Sequence, residues 1–539
     1  MKRIVVTTSL LIPFFCSAAE VEYAASVEGS YIHIENSDGD GDENRLDTFS
    51  LDPRISLIFN SRRFKAVASG SNRLVDRHLS SNVIDDTSSD TKNSFSSYDL
   101  TATAVIIEDF LTISGNTSQF YSNSGVTSSL ITDEVFRSNS LAKAKRSGGN
   151  FRFGLPNPRL FNLNVSGGYD KVTTDRTESE FGDTEEVDSE TVNYQAQFTQ
   201  GNEVRNVSWN ILANYADTQG RSQNDVITER VNGSFYLGLM DNLRFVATGS
   251  TENNELSTAD DSDTNTRELE YKSAGAGLSY YQSNSRYIDL TYNVSSQQDG
   301  ERDKFVGVNF NWAFSARTQA SGEFSRRFFG RSGSFSLQHR VRKLRTSINY
   351  NETVTTYSRL RAGDPLNGVF VCPDAGEFTD CFIPDSIDYQ LEAGEQFVPL
   401  SIPTFVVSEE PILRKSLGVN VGYTFRKIQA DLRVSNSETS FLNTQREQDA
   451  FYTTLSLSLN LNRRASLSFS NSFSDITRGG SSGLGENEKT LVSTLGYNYE
   501  LSADSTAKAE FSYANQDSPV PNRDFNTRRL TLSFSYNFR

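Results

Sequence analysis

The segment at 530–539 reads LTLSFSYNFR, and its residues alternate strictly between apolar and polar. Leucine, phenylalanine and tyrosine fill the even positions, and threonine, serine, asparagine and arginine fill the odd ones. A repeat of two residues is typical of a β-strand with one apolar face and one polar face. The same alternation recurs at 306–315 (VGVNFNWAFS), 417–425 (LGVNVGYTF) and 453–462 (TTLSLSLNLN). These apolar faces must contact either a protein core or lipid.

The connections between the expected strands indicate whether the apolar faces contact lipid or a protein core. Short and long connections alternate along the chain. Short ones lie at 61–62, 241–242, 426–427 and 462–463. Longer polar segments lie at 36–45, 175–190 and 257–267. This alternation is typical of outer-membrane barrels, whose short turns face the periplasm and whose long loops face outside. A soluble β-sandwich would need Greek-key crossovers instead, so the apolar faces are predicted to contact lipid.

In lipid every backbone N–H and C=O group must be paired, so the sheet must close on itself. The hairpins predict an all-β fold, a single transmembrane antiparallel barrel of about 24 strands (about 22–26), with short periplasmic turns and long extracellular loops. The first strand is expected near 21–35 and the last at 528–538. The alternation starts close to residue 20, so no plug domain is expected before the first strand, which argues against a plugged active transporter.

The N-terminal residues predict the compartment. Residues 1–3 are basic at positions 2 and 3, residues 4–15 are apolar, and small residues follow at 17–19. This is the pattern of a secretory signal peptide, so 1–19 is predicted to be removed and 20–539 to form the barrel. The predicted location is the outer membrane of a Gram-negative bacterium. The net charge of −16 argues against a nucleic-acid partner, because phosphate binding needs a basic surface.

Candidates for catalytic chemistry are few. The chain has three histidines, His33, His78 and His339. A hydrolase would need a histidine beside a nucleophile or a carboxylate, and the sequence places none of the three in such a group. All three are interpreted as structural or interfacial. We therefore expect that the protein has no catalytic residue, no cofactor and no metal site. We also expect that it is not an enzyme.

One acidic segment resembles a calcium-binding loop. Asp38, Asp40 and Asp42 have the alternate spacing of such a loop. The sixth position is Glu43 rather than glycine, and the twelfth is Phe49 rather than glutamate. The interpretation is a solvated acidic loop without a dedicated calcium site.

The longest connection is expected at 358–412 and contains Cys372 and Cys381. In an oxidising compartment this pair is a candidate for a local disulfide. Loops of this length are usually functional or disordered. Two alternatives stay open: the segment enters the barrel as a constriction or covers it as a lid, or it is a plain surface excursion.

Three arginines, Arg340, Arg342 and Arg345, surround a turn expected at 341–343. The parity of the flanking strands gives Arg340, Arg342 and Arg345 inward positions. One interpretation is ordinary charge at a membrane rim. The other is a basic ring at the periplasmic mouth of a pore, which would attract an anionic solute or polymer and set selectivity.

The last strand carries aromatic residues at alternate positions, Phe534, Tyr536 and Phe538. This resembles the C-terminal signal that the barrel-assembly machinery of the outer membrane recognises, although Arg539 follows the aromatic residue here. The alternative is an aromatic girdle at the membrane interface. Both roles are compatible.

The segments FFGRSGSFSLQHRVRKLRTSINYNETVTT (328–356), SLGVNVGYTFRKIQADLRVS (416–435) and LSLSLNLNRRASLSFSNSFSD (455–475) resemble the PEP-CTERM system-associated outer-membrane protein family. The recognisable part is 328–539. The resemblance implies a barrel that accompanies exopolysaccharide and exosortase gene clusters. It also implies a role in moving or anchoring exopolysaccharide, and it carries no catalytic residues over to this chain.

The expected function is a porin-like channel associated with exopolysaccharide export or anchoring. The expected partners are outer-membrane lipid and lipopolysaccharide, the barrel-assembly machinery, polysaccharide and periplasmic export components. Three alternatives remain: a general diffusion porin, a non-conducting structural or adhesive barrel, and an outer-membrane enzyme. The enzyme would need a histidine or carboxylate cluster at one rim of the barrel.

Overall fold

A computed structural model describes most of the chain after residue 19. The described residues are 20–38, 43–81, 92–123, 141–175, 188–220, 225–260, 263–297, 302–355, 369–373, 395–399, 412–442, 447–479, 486–519 and 524–538. Within these ranges no helix is long and apolar enough to cross a membrane. The signal peptide predicted at 1–19 lies outside the described residues.

The described chain is built from β-strands joined by turns. The strands are β1 (Glu20–Asp38), β2 (Glu43–Asn60), β3 (Phe64–Ser81), β4 (Lys92–Ile107), β5 (Leu111–Asn123), β6 (Leu141–Gly154), β7 (Phe161–Thr174), β8 (Asp188–Gln200), β9 (Val207–Gly220), β10 (Val226–Met240), β11 (Leu243–Asp260), β12 (Asp263–Ser283), β13 (Arg286–Gln297), β14 (Arg302–Ser315), β15 (Thr318–Arg327), β16 (Gly330–Arg340), β17 (Leu344–Thr355), β18 (Val369–Pro373), β19 (Glu395–Pro399), β20 (Ile412–Phe425), β21 (Ile428–Phe441), β22 (Glu447–Asn460), β23 (Ala465–Gly479), β24 (Glu486–Glu500), β25 (Ser505–Asp517) and β26 (Phe525–Phe538).

One closed sheet contains 24 of these strands, β1 to β17 and β20 to β26. Each strand pairs antiparallel with its neighbours in chain order, and β17 pairs with β20. The last strand returns to the first, from Ala25 opposite Phe538 to Asp38 opposite Phe525. The predicted antiparallel barrel of about 24 strands is therefore confirmed.

The two faces of the barrel wall differ as the sequence alternation predicts. In β26 the apolar side chains from Leu530 to Phe538 are exposed on the outer face, and the polar residues between them point inward. In β13 the contrast is sharper, since Leu290 on the outer face is 53% exposed and Asp289 on the inner face is 3% exposed. An apolar outer face on a closed sheet is the architecture of a transmembrane barrel of the outer-membrane type.

The two ends of the barrel also differ. Turns of two to six residues, for example at 61–63, 241–242 and 155–160, join the strands at one end, where β1 begins and β26 ends. We call this the turn end, and we call the opposite end of the barrel the loop end.

Several strands extend further at the loop end than the sequence indicates. The strands range from 10 residues in β15 to 21 in β12, whereas a tilted membrane strand needs only about 9–11 residues. The polar segments at 36–45 and 257–267, expected as loops, lie largely in the strand pairs β1–β2 and β11–β12. Threonine, asparagine and glutamate in these segments continue the hydrogen-bonded ladder beyond the apolar band, so polarity alone did not mark the strand ends.

One loop-end connection is also much shorter than expected. Only Phe328 and Phe329 join β15 to β16. The long connection expected at 358–412 contains the hairpin β18–β19, in which Cys372 lies opposite Gln396. Cys381 lies outside the described residues, as do Asp40 and Asp42, so the disulfide and the acidic loop stay predictions.

The inner face changes character between the two ends. At the turn end, inward polar side chains such as Ser533, Ser535 and Asn537 keep partial contact with solvent. At the loop end, inward side chains around most of the barrel are buried. They include Ile32, Thr48, Val75, Phe95, Val172, Thr191, Thr218, Val226, Leu256, Ile412, Thr439, Ile476, Thr490 and Phe525. Solvent therefore enters the interior from the turn end and is largely excluded from the wall at the loop end.

The buried inward residues correct one expectation from the sequence. The alternation predicts one apolar and one polar face for each strand, but Ile32, Ile34 and Leu46 form an apolar cluster on the inner face of β1 and β2. Their neighbours Tyr31 and His33 face outward. Because apolar and amphipathic side chains occupy both faces here, the alternation does not distinguish inside from outside.

Candidate functional site

The barrel wall bends sharply between β10 and β15. Tyr236 on β10 donates a hydrogen bond from its hydroxyl to Asp289 Oδ2 on β13, at 2.9 Å. Thr248 on β11 donates from its hydroxyl to Asn293 Oδ1 on β13, at 3.0 Å. One or two strands separate these partners in the sheet. Inward side chains therefore meet across the bend, and the wall forms a side lobe of the interior, which we call the lobe.

Glycines on the inner face permit this bend. A Cβ added at Gly277 on β12 would overlap the Leu290 backbone oxygen, and one at Gly275 would overlap the Asn293 side chain. A Cβ at Gly307 on β14 would lie 2.7 Å from the Thr291 hydroxyl. Without side chains at these positions, β13 folds in against β12 and β14. The sequence SAGAG at 273–277 is thus the local cause of the curvature.

A buried ion pair closes the lobe at the loop end. Arg327 on β15 donates from Nε and Nη2 to the two carboxylate oxygens of Glu252 on β11, at 2.9 and 2.6 Å. The side chains are 11% and 1% exposed. Asn254 donates a further hydrogen bond to Glu252 Oε1 at 3.0 Å. Three strands separate β11 from β15, so this contact fixes the curvature of the whole lobe.

The lobe encloses a cavity of about 270 Å³ on the inner face of the barrel. Its lining consists mainly of amide and hydroxyl side chains from β9 to β15, with a few charged groups and two inward aromatic rings, Tyr236 and Phe305. The amides and hydroxyls include Asn210, Asn232, Ser250, Ser273, Asn309 and Ser325. Convergent polar groups in a concave site can fix the orientation of a small ligand.

Asp289 is the best-placed polar group of this cavity. Its Oδ2 accepts hydrogen bonds from the Tyr236 hydroxyl and, at 3.3 Å, from Asn309 Nδ2. Its Oδ1 accepts no hydrogen bond of full geometry from any described group, and the Ser279 hydroxyl, directly opposite in the β12–β13 pair, also stabilises the carboxylate. Nearby, Asn293 Nδ2 donates to the Thr291 hydroxyl at 2.8 Å. The cavity thus holds a rigid set of polar groups around a carboxylate with room for a further donor at Oδ1, which suits a ligand that carries hydroxyl groups.

The structure places the three predicted arginines at the turn end. Arg340 lies directly opposite Arg345 in the β16–β17 pair, on the face opposite to Leu337 and Leu344. Arg342 lies in the turn at 341–343, and all three arginines are exposed. The three arginines thus form a basic cluster on one hairpin at this mouth, and a basic ring around the mouth stays a prediction, as does its effect on selectivity.

Other basic groups at the turn end have local partners. Arg62 donates to Glu108 Oε1 at 2.9 Å. Lys343 Nζ lies 4.0 Å from the centre of the Phe425 ring. These contacts match the alternative interpretation of basic turns as rim charge with structural partners.

The histidines are engaged by neighbouring side chains. His33 Nδ1 lies 2.8 Å from Asp47 Oδ1, which also accepts a hydrogen bond from the Tyr31 hydroxyl at 2.7 Å. His33 Nε2 lies 3.7 Å from Glu35 Oε1, so both ring nitrogens face carboxylates rather than a nucleophile. The cluster lies on the outer face near the loop end.

The other two histidines make simpler contacts. His78 Nδ1 lies 4.0 Å from Asp76 Oδ1. His339 Nδ1 lies 2.8 Å from the Thr318 hydroxyl, and the described residues place no carboxylate at ion-pair distance from it. Among the described residues no group of three or more histidine, cysteine, aspartate or glutamate side chains could hold a metal ion.

The C-terminal aromatics lie on the outer face of β26. Phe534, Tyr536 and Phe538 are all exposed there, and the Tyr536 and Phe538 rings are 4.9 Å apart between centres. This position suits an interfacial girdle. Recognition by the assembly machinery stays a prediction.

Sequence reasoning did not find the lobe. The only local signal was the run of small residues at 273–277, and it was not used. The pairing of Glu252 with Arg327 cannot be inferred from strand neighbours, because the two residues are joined by curvature and not by register. No motif or spacing in the sequence links Glu252 to Arg327.

The fold defines a transmembrane β-barrel of the outer-membrane type. No protein-family model matches the chain, and no curated protein matches it. Among solved structures, the chain is similar to the FrpB iron transporter from Neisseria meningitidis (8% identity, TM-score 0.46), with 96% of this chain and 83% of that one covered. It is also similar to the siderophore receptor PirA from Pseudomonas aeruginosa (10% identity, TM-score 0.35), over 95% of this chain and 80% of that one.

A third similar structure is the copper transporter OprC, with 10% identity and a TM-score of 0.41, over 96% of this chain and 80% of OprC. With TM-scores below 0.5, none of these three likenesses bears on cargo or mechanism.

Proposed function

We propose that the protein is a porin-like conduit of the Gram-negative outer membrane, associated with export or anchoring of exopolysaccharide. The observation that carries the proposal is the inner face at the turn end. Serine, threonine and asparagine side chains there keep solvent contact inside a barrel whose outer face is apolar. Such a wall exchanges hydrogen bonds with water or with sugar hydroxyls along a wide passage. Transport would be passive, and the exposed arginines at the mouth would favour anionic solutes.

A second candidate is a non-conducting structural or adhesive barrel. It is favoured by the burial of inward side chains at the loop end, from Ile32 on β1 to Phe525 on β26. If that closure is permanent, the interior is a vestibule open on one side. If the closure belongs to the long connection between β17 and β20, its removal would open a channel.

Single-channel conductance of the refolded protein in a planar bilayer distinguishes these functions. The test variant replaces residues 356–411 with a short glycine–serine linker, so that β17 and β20 stay paired. The matched control replaces the connection at 124–140, between β5 and β6, in the same way.

A conduit is expected to conduct in the intact protein, or to conduct only when 356–411 is replaced. The control should behave like the intact protein in either case. Absence of conductance in all three proteins, with folded barrels confirmed by heat-modifiable migration in gels, would overturn the proposal and leave the structural role.

A further inference from the structure

We propose that the cavity in the lobe is a binding site for one neutral hexose unit of a saccharide, with the Asp289 carboxylate as its central hydroxyl acceptor. The inference rests on the proposed function, since it gives the saccharide a specific place on the inner wall. It stands on the geometry of β10 to β15.

The first reason is the state of Asp289. A buried carboxylate oxygen without a hydrogen-bond donor is costly, because burial removes the water that solvated it. Oδ1 of Asp289 accepts no hydrogen bond of full geometry within the described part of the chain, while Oδ2 is held by Tyr236 and Asn309. The Ser279 hydroxyl on β12 supports the carboxylate from the opposite residue. The carboxylate is therefore fixed in orientation, and Oδ1 can accept a further donor from outside the protein. A sugar hydroxyl is such a donor, and a hydrogen bond to an ionised carboxylate is about twice as strong as a neutral one.

The second reason is the rest of the lining. Sugar hydroxyls both donate and accept, so a sugar site needs groups of both kinds at fixed positions. Asn232 Oδ1 is held by the Ser250 hydroxyl at 2.8 Å and by Arg230 Nε at 3.3 Å. Its amide group is thereby oriented at the cavity wall. The Phe305 ring adds an apolar surface to the polar set, which suits the mixed surface of a pyranose.

The charge balance selects a neutral sugar. Two of the arginines that line the cavity are neutralised, Arg327 by Glu252 and Arg326 by Asp303, each at 2.6 Å. A third lining arginine, Arg230, has Glu252 and Glu323 as its acidic neighbours, and Asp289 also lines the cavity. The four carboxylates in and around the cavity therefore outnumber the three arginines. A sugar acid would bring its carboxylate close to two others, and like charges in a confined site repel strongly.

Binding is measured on the refolded barrel in a non-sugar detergent by saturation-transfer NMR. The probes are maltohexaose, a neutral oligosaccharide, and a hexamer of galacturonic acid of the same length. Asp289→Asn keeps the shape of the side chain and removes its charge. Asn309→Leu is a second variant, which removes the donor that orients Asp289. Asp431→Asn, on the inner face of β21, is the matched control.

We expect saturation transfer to maltohexaose in the wild type and little to the galacturonic acid hexamer. Asp289→Asn and Asn309→Leu should each weaken maltohexaose binding about tenfold or more, which corresponds to about 1.4 kcal/mol. Asp431→Asn should bind like the wild type. A wild type without maltohexaose binding would mean that Asp289 is satisfied by water alone and would overturn the proposal. Equal binding of the two probes, or wild-type affinity in Asp289→Asn, would also overturn it.

The two proposals fail separately. Conductance without sugar binding removes the hexose site and leaves the conduit. Sugar binding without conductance in any variant removes the conduit and leaves a saccharide-binding barrel.

Discussion

At the scale of single residues, the lobe depends on inner-face glycines, which leave room for neighbouring strands to approach. Gly277 faces the interior at the point where β12 and β13 come closest, and a Cβ there would overlap the Leu290 backbone oxygen. Backbone cannot yield as the tip of a flexible side chain does. The position therefore needs glycine for space, although its backbone conformation is ordinary strand.

We expect Gly277→Ala to straighten the wall locally and to destabilise the barrel. Overpacking of this kind costs about 1–3 kcal/mol. The midpoint of urea unfolding in lipid vesicles, followed by tryptophan fluorescence, measures the effect. Gly418→Ala on β20 is the control, since a Cβ there meets nothing within 4 Å. Equal midpoints for the two variants would show that the close approach at Gly277 is not a constraint on the fold.

At the scale of elements, one ion pair holds β11 to β15. Removing one partner of a buried pair leaves an uncompensated charge, at a cost of about 3–5 kcal/mol. We therefore expect Glu252→Gln to lower the unfolding midpoint strongly. The double variant Glu252→Leu with Arg327→Met should recover most of the loss, because apolar side chains of similar volume leave no unpaired charge.

The exposed pair of Arg62 and Glu108 at the turn end is the control. Its side chains are 80% and 49% exposed, and exposed pairs contribute only about 0–1 kcal/mol. Glu108→Gln should therefore leave the midpoint nearly unchanged. A Glu252→Gln variant as stable as Glu108→Gln would contradict the clamping role of the buried pair.

The sequence predicts elements well where one face of a strand meets lipid. In β26 the period of two holds from Leu530 to Phe538, because hydrocarbon outside and water inside impose opposite demands on neighbouring residues. Above the apolar band that contrast weakens. There β11 and β12 run on through polar residues to Asp260 and Asp263, so the loop boundaries were missed. The cavity was missed because β10 to β15 are brought together by curvature of the wall. The alternation of apolar and polar residues does not predict where the wall bends.

At the scale of the whole molecule, the barrel is asymmetric between its ends. At the turn end the inner face is accessible to solvent and carries the exposed side chains of Arg340 and Arg345. At the loop end most inward side chains are buried. An ion that enters from the turn end meets these positive charges first. Fixed charges at a pore mouth raise the local concentration of counter-ions within about 10 Å at 0.1 M salt.

We expect Arg340→Ser with Arg345→Ser to shift the reversal potential of a conducting form toward cation preference. The shift should shrink in 1 M salt, where the screening length falls to about 3 Å. Reversal potentials under a tenfold salt gradient across a planar bilayer measure it. Arg331→Ser is the control, because that arginine is exposed on the outer face of β16 at the loop end, away from this mouth. An unchanged potential in the double variant would favour ordinary rim charge over a selective ring.

The seam between β26 and β1 determines when the barrel can exist at all. The strand that completes the wall is separated from its partner by nearly the entire polypeptide, and no shorter piece of the chain can satisfy both of their edges. Until that strand arrives, β1 exposes a row of unpaired N–H and C=O groups, which in lipid is costly and in water recruits other chains. During biogenesis the unpaired edge of β1 therefore has to be protected while the other strands are added. Pairing of β26 with β1, which closes the barrel, is the last step.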